Sequence, residues 1–249
     1  MLEDILNFFK VKRPAEIKWA HAVNNKDKLS KTMENDSIMM IEGDISISLK
    51  TGELIMAHPP KIESDLTFKD WIQNIYKKNK GAKLDFKNPA AVSPALEFIQ
   101  NKKYYDIPLF FNADILKGPG GEFPEFNPIH FISECNEKAK FKYSYLSIGW
   151  TVEYSSENKY SLKMVNEMLE IAKKSVFPVT IPVFVYFMPM SWDNLEKILE
   201  NTSYTLTLWN SKEIPTDQNL REWIKQKVDP YRVFVDLIDT NGKPISIYD

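Results

Sequence analysis

Glu42 and Asp44 stand two residues apart in Met40-Ile41-Glu42-Gly43-Asp44-Ile45, inside a β-rich run over 37–48. A strand repeats its side-chain direction every two residues, so both carboxylates fall on one face. Two buried carboxylates repel each other and resist leaving water, so a positive group belongs between them. A hard divalent cation, Mg2+ or Ca2+, suits such oxygen ligands. The alternative is an exposed strand face carrying two solvated acids. Lys83, Asp85 and Lys87 alternate in a second run, and Asn112 and Asp114 alternate at the end of a third. His21 lies late in the run after Arg13-Pro14, and His58 opens a loop as His58-Pro59-Pro60. Trp150 and Trp209 close two further apolar runs.

These types together suit phosphoryl-ester chemistry. Glu42, Asp44 and Asp85 would hold one cation, which polarises and orients the phosphoryl group. Lys87, or Lys83, would neutralise a phosphate oxygen. His21 and His58 would flank the phosphorus as general base and general acid, since imidazoles titrate near neutral pH. Lys83, Asn112, Asp114, Trp150 and Trp209 are expected to line the substrate. Each residue also has a plainer explanation: a hydrogen-bonded histidine, a surface ion pair of about 0–1 kcal/mol, a turn, a core tryptophan. Those explanations do not account for so many falling at equivalent places. The third histidine, His130, follows Pro128 at a helix start and reads as a surface residue.

The elements that must position them alternate. Strands are expected over 17–23, 37–48, 81–87, 108–115, 143–150, 179–187, 204–209 and 232–238, most of them followed by a helical segment. Ile181-Pro182-Val183-Phe184-Val185 and Val233-Phe234-Val235 are apolar on both faces, as parallel strands covered by helices should be. This predicts an α/β fold, a (β/α)8 TIM barrel forming a single domain over 1–249, with the chemistry at the C-terminal strand ends. A doubly wound open sheet is the alternative, and it lacks a Gly-rich dinucleotide loop. Residues 1–10 form an amphipathic helix with Leu2, Ile5, Leu6 and Phe9 on one face. Such a helix lies on a membrane or plugs the bottom of a barrel; burial favours the plug.

The 249 residues are 43% hydrophobic and 13% aromatic, enough for a sizeable core. A net charge of −2 supplies no global attraction to nucleic acid, so no nucleic-acid partner is expected. Cys135 is the one cysteine, which rules out an internal disulfide and paired-cysteine metal sites. No signal peptide or transmembrane segment is read, and a cytoplasmic location is expected.

Eight segments carry a family resemblance. They are Trp19-x-His21-Ala22-x-Asn24, Met40-Ile41-Glu42-x-Asp44, Ile55-Met56-Ala57-His58-Pro59-Pro60, Ser64-Asp65-x-Thr67, Lys83-Leu84-Asp85-Phe86-Lys87, Asn112-Ala113-Asp114-Ile115-Leu116-x-Gly118-Pro119, Ser147-x-Gly149-Trp150-Thr151 and Met164-Val165-x-Glu167-Met168. In order and spacing they resemble the menorin family, closest to its single-domain members. That family looks like the glycerophosphodiester phosphodiesterases and the sphingomyelin-cleaving phospholipase D toxins, PLC-like phosphodiesterase barrels that use a metal and two histidines. The resemblance implies His21 and His58 as the catalytic pair, Glu42, Asp44 and Asp85 as metal ligands, Lys87 beside them, and Trp209 near the substrate. It also implies a small phosphodiester or lipid-derived ligand, with peripheral membrane contact as a further expectation. The phosphodiesterases continue the first histidine with Arg-Gly and the second with Asp, whereas Ala22-Val23 and Pro59 stand here. A binding module that kept the pocket without turnover is the alternative. A barrel glycosidase ranks last, because Glu42 and Asp44 on one strand cannot easily flank a sugar bond.

Overall fold

A computed structural model describes residues 2–248. Eight parallel strands follow one another around a nearly closed barrel, in the order β1 (Trp19–Ala20), β2 (Met40–Ile47), β4 (Gly81–Phe86), β5 (Leu109–Lys117), β6 (Ser144–Thr151), β7 (Val179–Phe184), β8 (Tyr204–Trp209), β9 (Val233–Asp236). A short β3 (Leu54–Met56) doubles back antiparallel on β2 and carries the chain to His58. The connecting helices are α2 (Lys26–Glu34), α3 (Phe68–Lys77), α4 (Val92–Lys102), α5 (Pro128–Lys138), α6 (Leu162–Ala172), α7 (Met188–Leu199) and α8 (Gln218–Lys227). Five of them start on a side-chain cap, with Asn25, Thr67, Asn127, Ser161 and Asp217 each accepting a backbone N–H of the first turn. No helix among the described residues is long and apolar enough to cross a membrane.

The barrel interior is layered. Trp19, Met40, Phe110, Tyr145 and Phe234 fill its lower end as one aromatic-rich cluster. The N-terminal helix α1 (Leu2–Phe9) closes that end, burying Ile5 and packing Leu2, Leu6 and Phe9 against the cluster. Its apolar face is thereby used inside the molecule rather than on a membrane; Met1 lies outside the described residues. Above the cluster comes a polar layer in which the Thr180 and Thr207 hydroxyls meet at 2.7 Å. Charged side chains occupy the C-terminal mouth. The apolar floor and helical jacket exclude water below, so whatever sits at the mouth is held on rigid strands.

Several expected boundaries differ. β1 is two residues long because Pro14–Glu16 turns as a 3-10 helix before it and the chain turns again after His21. The sixth expected strand, 179–187, ends at Phe184; Val185–Phe187 coils and α7 starts at Met188. Ser191 is buried inside α7 and its hydroxyl accepts the Tyr160 N–H at 2.8 Å. Asn112 and Asp114 are strand residues within β5, not a turn.

Candidate active site

The register explains why the mouth is charged. Glu42 pairs with Lys83, Asp44 with Asp85, Asp85 with Asn112, Asn112 with Ser147, and Asp236 with Trp209. Residues paired across neighbouring strands share a face, so two acids on β2 and one on each of β4 and β9 deliver their carboxylates to the same opening. Glu42, Asp44 and Asp85 each offer an oxygen, and these oxygens lie within 4.8 Å of one another. Each acid is steadied by a neighbour. Ala22 N–H donates to Glu42 Oε2 at 2.5 Å, Asn24 Nδ2 to Asp44 Oδ2 at 2.5 Å, and Asn112 Nδ2 to Asp85 Oδ1 at 2.8 Å. Ser147 then donates to Asn112 Oδ1 at 2.6 Å, which orients the amide. Lys87 Nζ lies 3.3 Å from Asp44 and 2.9 Å from Asp85, an ammonium bridging two of the three acids. An all-oxygen set with an outer row of orienting donors fits a hard divalent cation. For Asp85 to ligate with Oδ2, Lys87 must turn aside.

His21 faces the other side of Glu42. Its Nδ1 is 3.1 Å from Asp236 Oδ2 and 3.4 Å from Glu42 Oε2. When ionised, both partners can only accept, so Nδ1 carries the proton, and in the neutral ring Nε2 is left for proton transfer. The backbone turns sharply here. Ala22 adopts φ +51°, uncommon for an L-residue, and is fixed by its N–H on Glu42 while Lys28 Nζ holds the His21 carbonyl at 2.5 Å. Strained backbone pinned on both sides is how a short β1 aims its histidine.

Burial by itself would lower the His21 pKa, but the Asp236 and Glu42 carboxylates overcome it and lift it to about 9. Burial lifts Glu42 to about 7, with His21 and Lys83 opposing and Asp44 and Asp85 reinforcing. Burial also lifts Asp114 to about 6, against the pull of Lys87. Asp85 is half-buried, and Lys87 and Lys83 overcome its desolvation and hold it below the usual range. His21, Glu42 and Asp114 all bind protons more tightly folded than unfolded. Stability from each is present below its unfolded pKa and lost as pH rises to the folded one. The windows run from 6.5 to about 9 for His21 and from 4.5 to about 7 for Glu42. The melting temperature of the metal-free protein, measured in chelator, is therefore expected to fall steadily across this range; a rise over the same range would contradict this electrostatic picture.

A model of the menorin N-terminal domain matches residues 14–241. The human protein FAM151B is 33% identical over 251 aligned positions, covering 95% of this chain and 90% of that protein. The chain belongs to the menorin family. Among solved structures this menorin is similar to a Galdieria sulphuraria protein assigned as a glycerophosphodiester phosphodiesterase, with a TM-score of 0.58, 12% identity and coverage of 92% and 94% of the two chains. It is also similar to an Oleispira antarctica phosphodiesterase solved with its product sn-glycerol-3-phosphate, with a TM-score of 0.55, 13% identity and coverage of 88% and 92%. At such identities the likeness is one of fold, a phosphodiesterase-like barrel.

The menorin structure gathers His21, Glu42, Asp44, Lys83, Asp85, Lys87, Asn112 and Asp114 at the mouth. Trp209, the last residue of β8, is partly buried there against Phe184, ring centroids 4.9 Å apart. Trp150, expected at the substrate, is instead 2% exposed in the core beside Tyr160. The reason is parity: Gly149 takes the inward position on β6, facing Asp114, and Trp150 points the other way. His58 is exposed in the loop after β3, its Nδ1 2.6 Å from the Pro59 carbonyl oxygen. It borders a cleft with Asn24, Lys61, Glu63 and Asp65 and makes no polar contact to the carboxylate cluster among the described residues. Asp236 is the residue that sequence reasoning passed over. The signal was there: Val233-Phe234-Val235-Asp236-Leu237-Ile238 carries one acid in an apolar run, at the C-terminal end of a strand.

Proposed function

We propose that this menorin is a divalent-cation-dependent phosphodiesterase acting on a glycerophosphodiester or lysophospholipid-like substrate. The observation that carries the reading is the convergence of Glu42, Asp44 and Asp85 from β2 and β4, with His21 alongside and Lys83 and Lys87 among them. Glu42, Asp44 and Asp85 would hold Mg2+ or Ca2+, which when bound supplies a Lewis acid for the phosphoryl oxygens. Lys87 neutralises a phosphate oxygen. His21 Nε2 takes the proton of the attacking water while Nδ1–H stays on Asp236. The resemblance assigns His58 as the acid on the opposite side. The fold shared with the Oleispira antarctica enzyme, which holds a glycerol phosphate product, supports a small phosphate ligand.

The test is alcohol or headgroup release from a panel of glycerophosphodiesters and lysophospholipids, with Mg2+ or Ca2+ and with chelator. Turnover should need the cation, and His21→Ala should lower it by about 10²–10⁴-fold. Absence of cation-dependent turnover across the panel, with His21→Ala indistinguishable, would sink the reading. One observation favours a binding module instead: the exposed His58 stands apart from the cluster. That reading predicts a rise in melting temperature with glycerol phosphate, without turnover, that survives His58→Ala.

A further inference from the structure

We propose that Asp114 is the group that protonates the leaving alcohol. This rests on the phosphodiesterase reading and puts a residue of β5 in the role that the resemblance gives to His58.

Position is the first argument. Around the barrel the strands run β9, β1, β2, β4, β5 once the seam is crossed. His21 follows β1 and is tied to Asp236 on β9; the three cation-holding acids come from β2 and β4; Asp114 lies on β5. Base and acid therefore flank the cation site on opposite sides, as displacement in line at phosphorus requires. His58 comes from a loop off β3 and is turned to Pro59.

Placement within the mouth is the second. Asp114 follows Asn112 by two residues and is paired with Gly149 on β6. A Cβ at position 149 would lie 2.4 Å from Asp114 Oδ1, so the carboxyl fills a notch that only glycine leaves open. It is partly exposed, and a substrate can reach it.

Freedom is the third. Glu42, Asp44, Asp85 and Asp236 are each held by at least one donor. Asp114 accepts no hydrogen bond among the described residues, although Lys83 and Asp85 on β4, Lys87 just after it, Asp44 on β2 and Tyr160 before α6 all act on it electrostatically. A carboxyl that is fixed in place yet unbonded, and pushed up to about 6, is free to give a proton. In the step, water oxygen bonds to phosphorus and its proton goes to His21. The bond from phosphorus to the leaving oxygen breaks with its electron pair, and that oxygen takes the Asp114 proton to depart as an alcohol. Asp114 is left as a carboxylate and His21 as an imidazolium.

The experiment compares two esters on the Mg2+-loaded full chain: glycerophosphoethanolamine, whose leaving alkoxides need a proton, and bis(p-nitrophenyl) phosphate, whose leaving phenolate does not. Asp114→Asn should lower kcat/KM for the alkyl ester by about 10²–10⁴-fold and leave the aryl ester within a few-fold. In wild type, kcat/KM should fall at high pH for the alkyl ester and not for the aryl one, a readout that needs no variant to fold. Equal losses on both esters, the same high-pH limb on both, or a His58→Ala variant that shows the alkyl-selective loss, would each overturn the assignment. If wild type hydrolyses neither ester, it is the underlying phosphodiesterase reading that fails, and the assignment with it.

Discussion

Glu42→Gln is expected to stabilise the metal-free protein while removing its cation site. Glu42 is 1% exposed, within reach of Asp44 and Asp85, and shared with the His21–Asp236 pair. Its carboxyl is raised from 4.5 to about 7, which means that ionising it in the fold costs free energy. A glutamine keeps the acceptor that the Ala22 N–H uses and removes the charge. At pH 8 the gain should be about 1–3 kcal/mol, seen as a melting temperature several degrees higher in chelator. Cation affinity should fall by more than the roughly 10–100-fold that loss of an outer partner costs. Proton release gives an independent readout. In the wild type the two carboxylates facing Nδ1 keep His21 protonated at pH 8. A cation on Glu42 cancels one of those charges, so binding should expel about one proton. Calorimetric titration of Mg2+ or Ca2+ in buffers of different ionisation enthalpy measures this. In Glu42→Gln the release should shrink along with the affinity. Unchanged affinity, or a variant less stable than wild type in chelator, would remove Glu42 from the site.

How much of this was legible follows from parity. Glu42 and Asp44, Asp85 and Lys87, Asn112 and Asp114 each stand two apart near a strand end, and a period of two sends each pair into the mouth. The βα alternation gave the barrel, and the apolar face of α1 gave its floor. Parity also explains a miss. Gly149 and Trp150 are adjacent, so only one can face inward, and the sequence does not say which end of the register wins; the close approach of Asp114 decides for Gly149. His58 is named by the sequence but its aim is not, because it lies beyond the β2–β3 turn, where no periodicity directs a side chain and the local contact to Pro59 does. Asp236 escaped for another reason. Its partner His21 is 215 residues away in sequence, and only closure of the barrel brings the two together.

That closure makes Asp236→Asn the second large prediction. β1 and β9 end the hydrogen-bonded path, and the His21–Asp236 bond of 3.1 Å crosses the gap between them. Asp236 is fully buried, takes His21 on Oδ2, lies 3.9 Å from Lys83, and among the described residues has no partner on Oδ1. An asparagine is the same size, but its amide can donate to Nδ1 and reverse the tautomer, which withdraws Nε2 as a base. Where an acid positions a catalytic imidazole, such a change costs about 10⁴-fold in kcat; here Glu42 remains beside Nδ1, so a loss of about 10²–10⁴-fold is expected, with KM little changed. His21 also loses the carboxylate that does most to raise its pKa, so the acid limb of kcat/KM should move to lower pH. The stability cost comes from Lys83, a buried ammonium left with Glu42 and Asp85. It should stay below the roughly 3–5 kcal/mol of breaking a close buried pair, because 3.9 Å is long and the orphaned Oδ1 is relieved of its charge. A variant that loses stability while keeping kcat and its pH profile would make Asp236 a structural clasp across the seam. A variant that keeps most of its stability and loses turnover makes it the residue that aims His21.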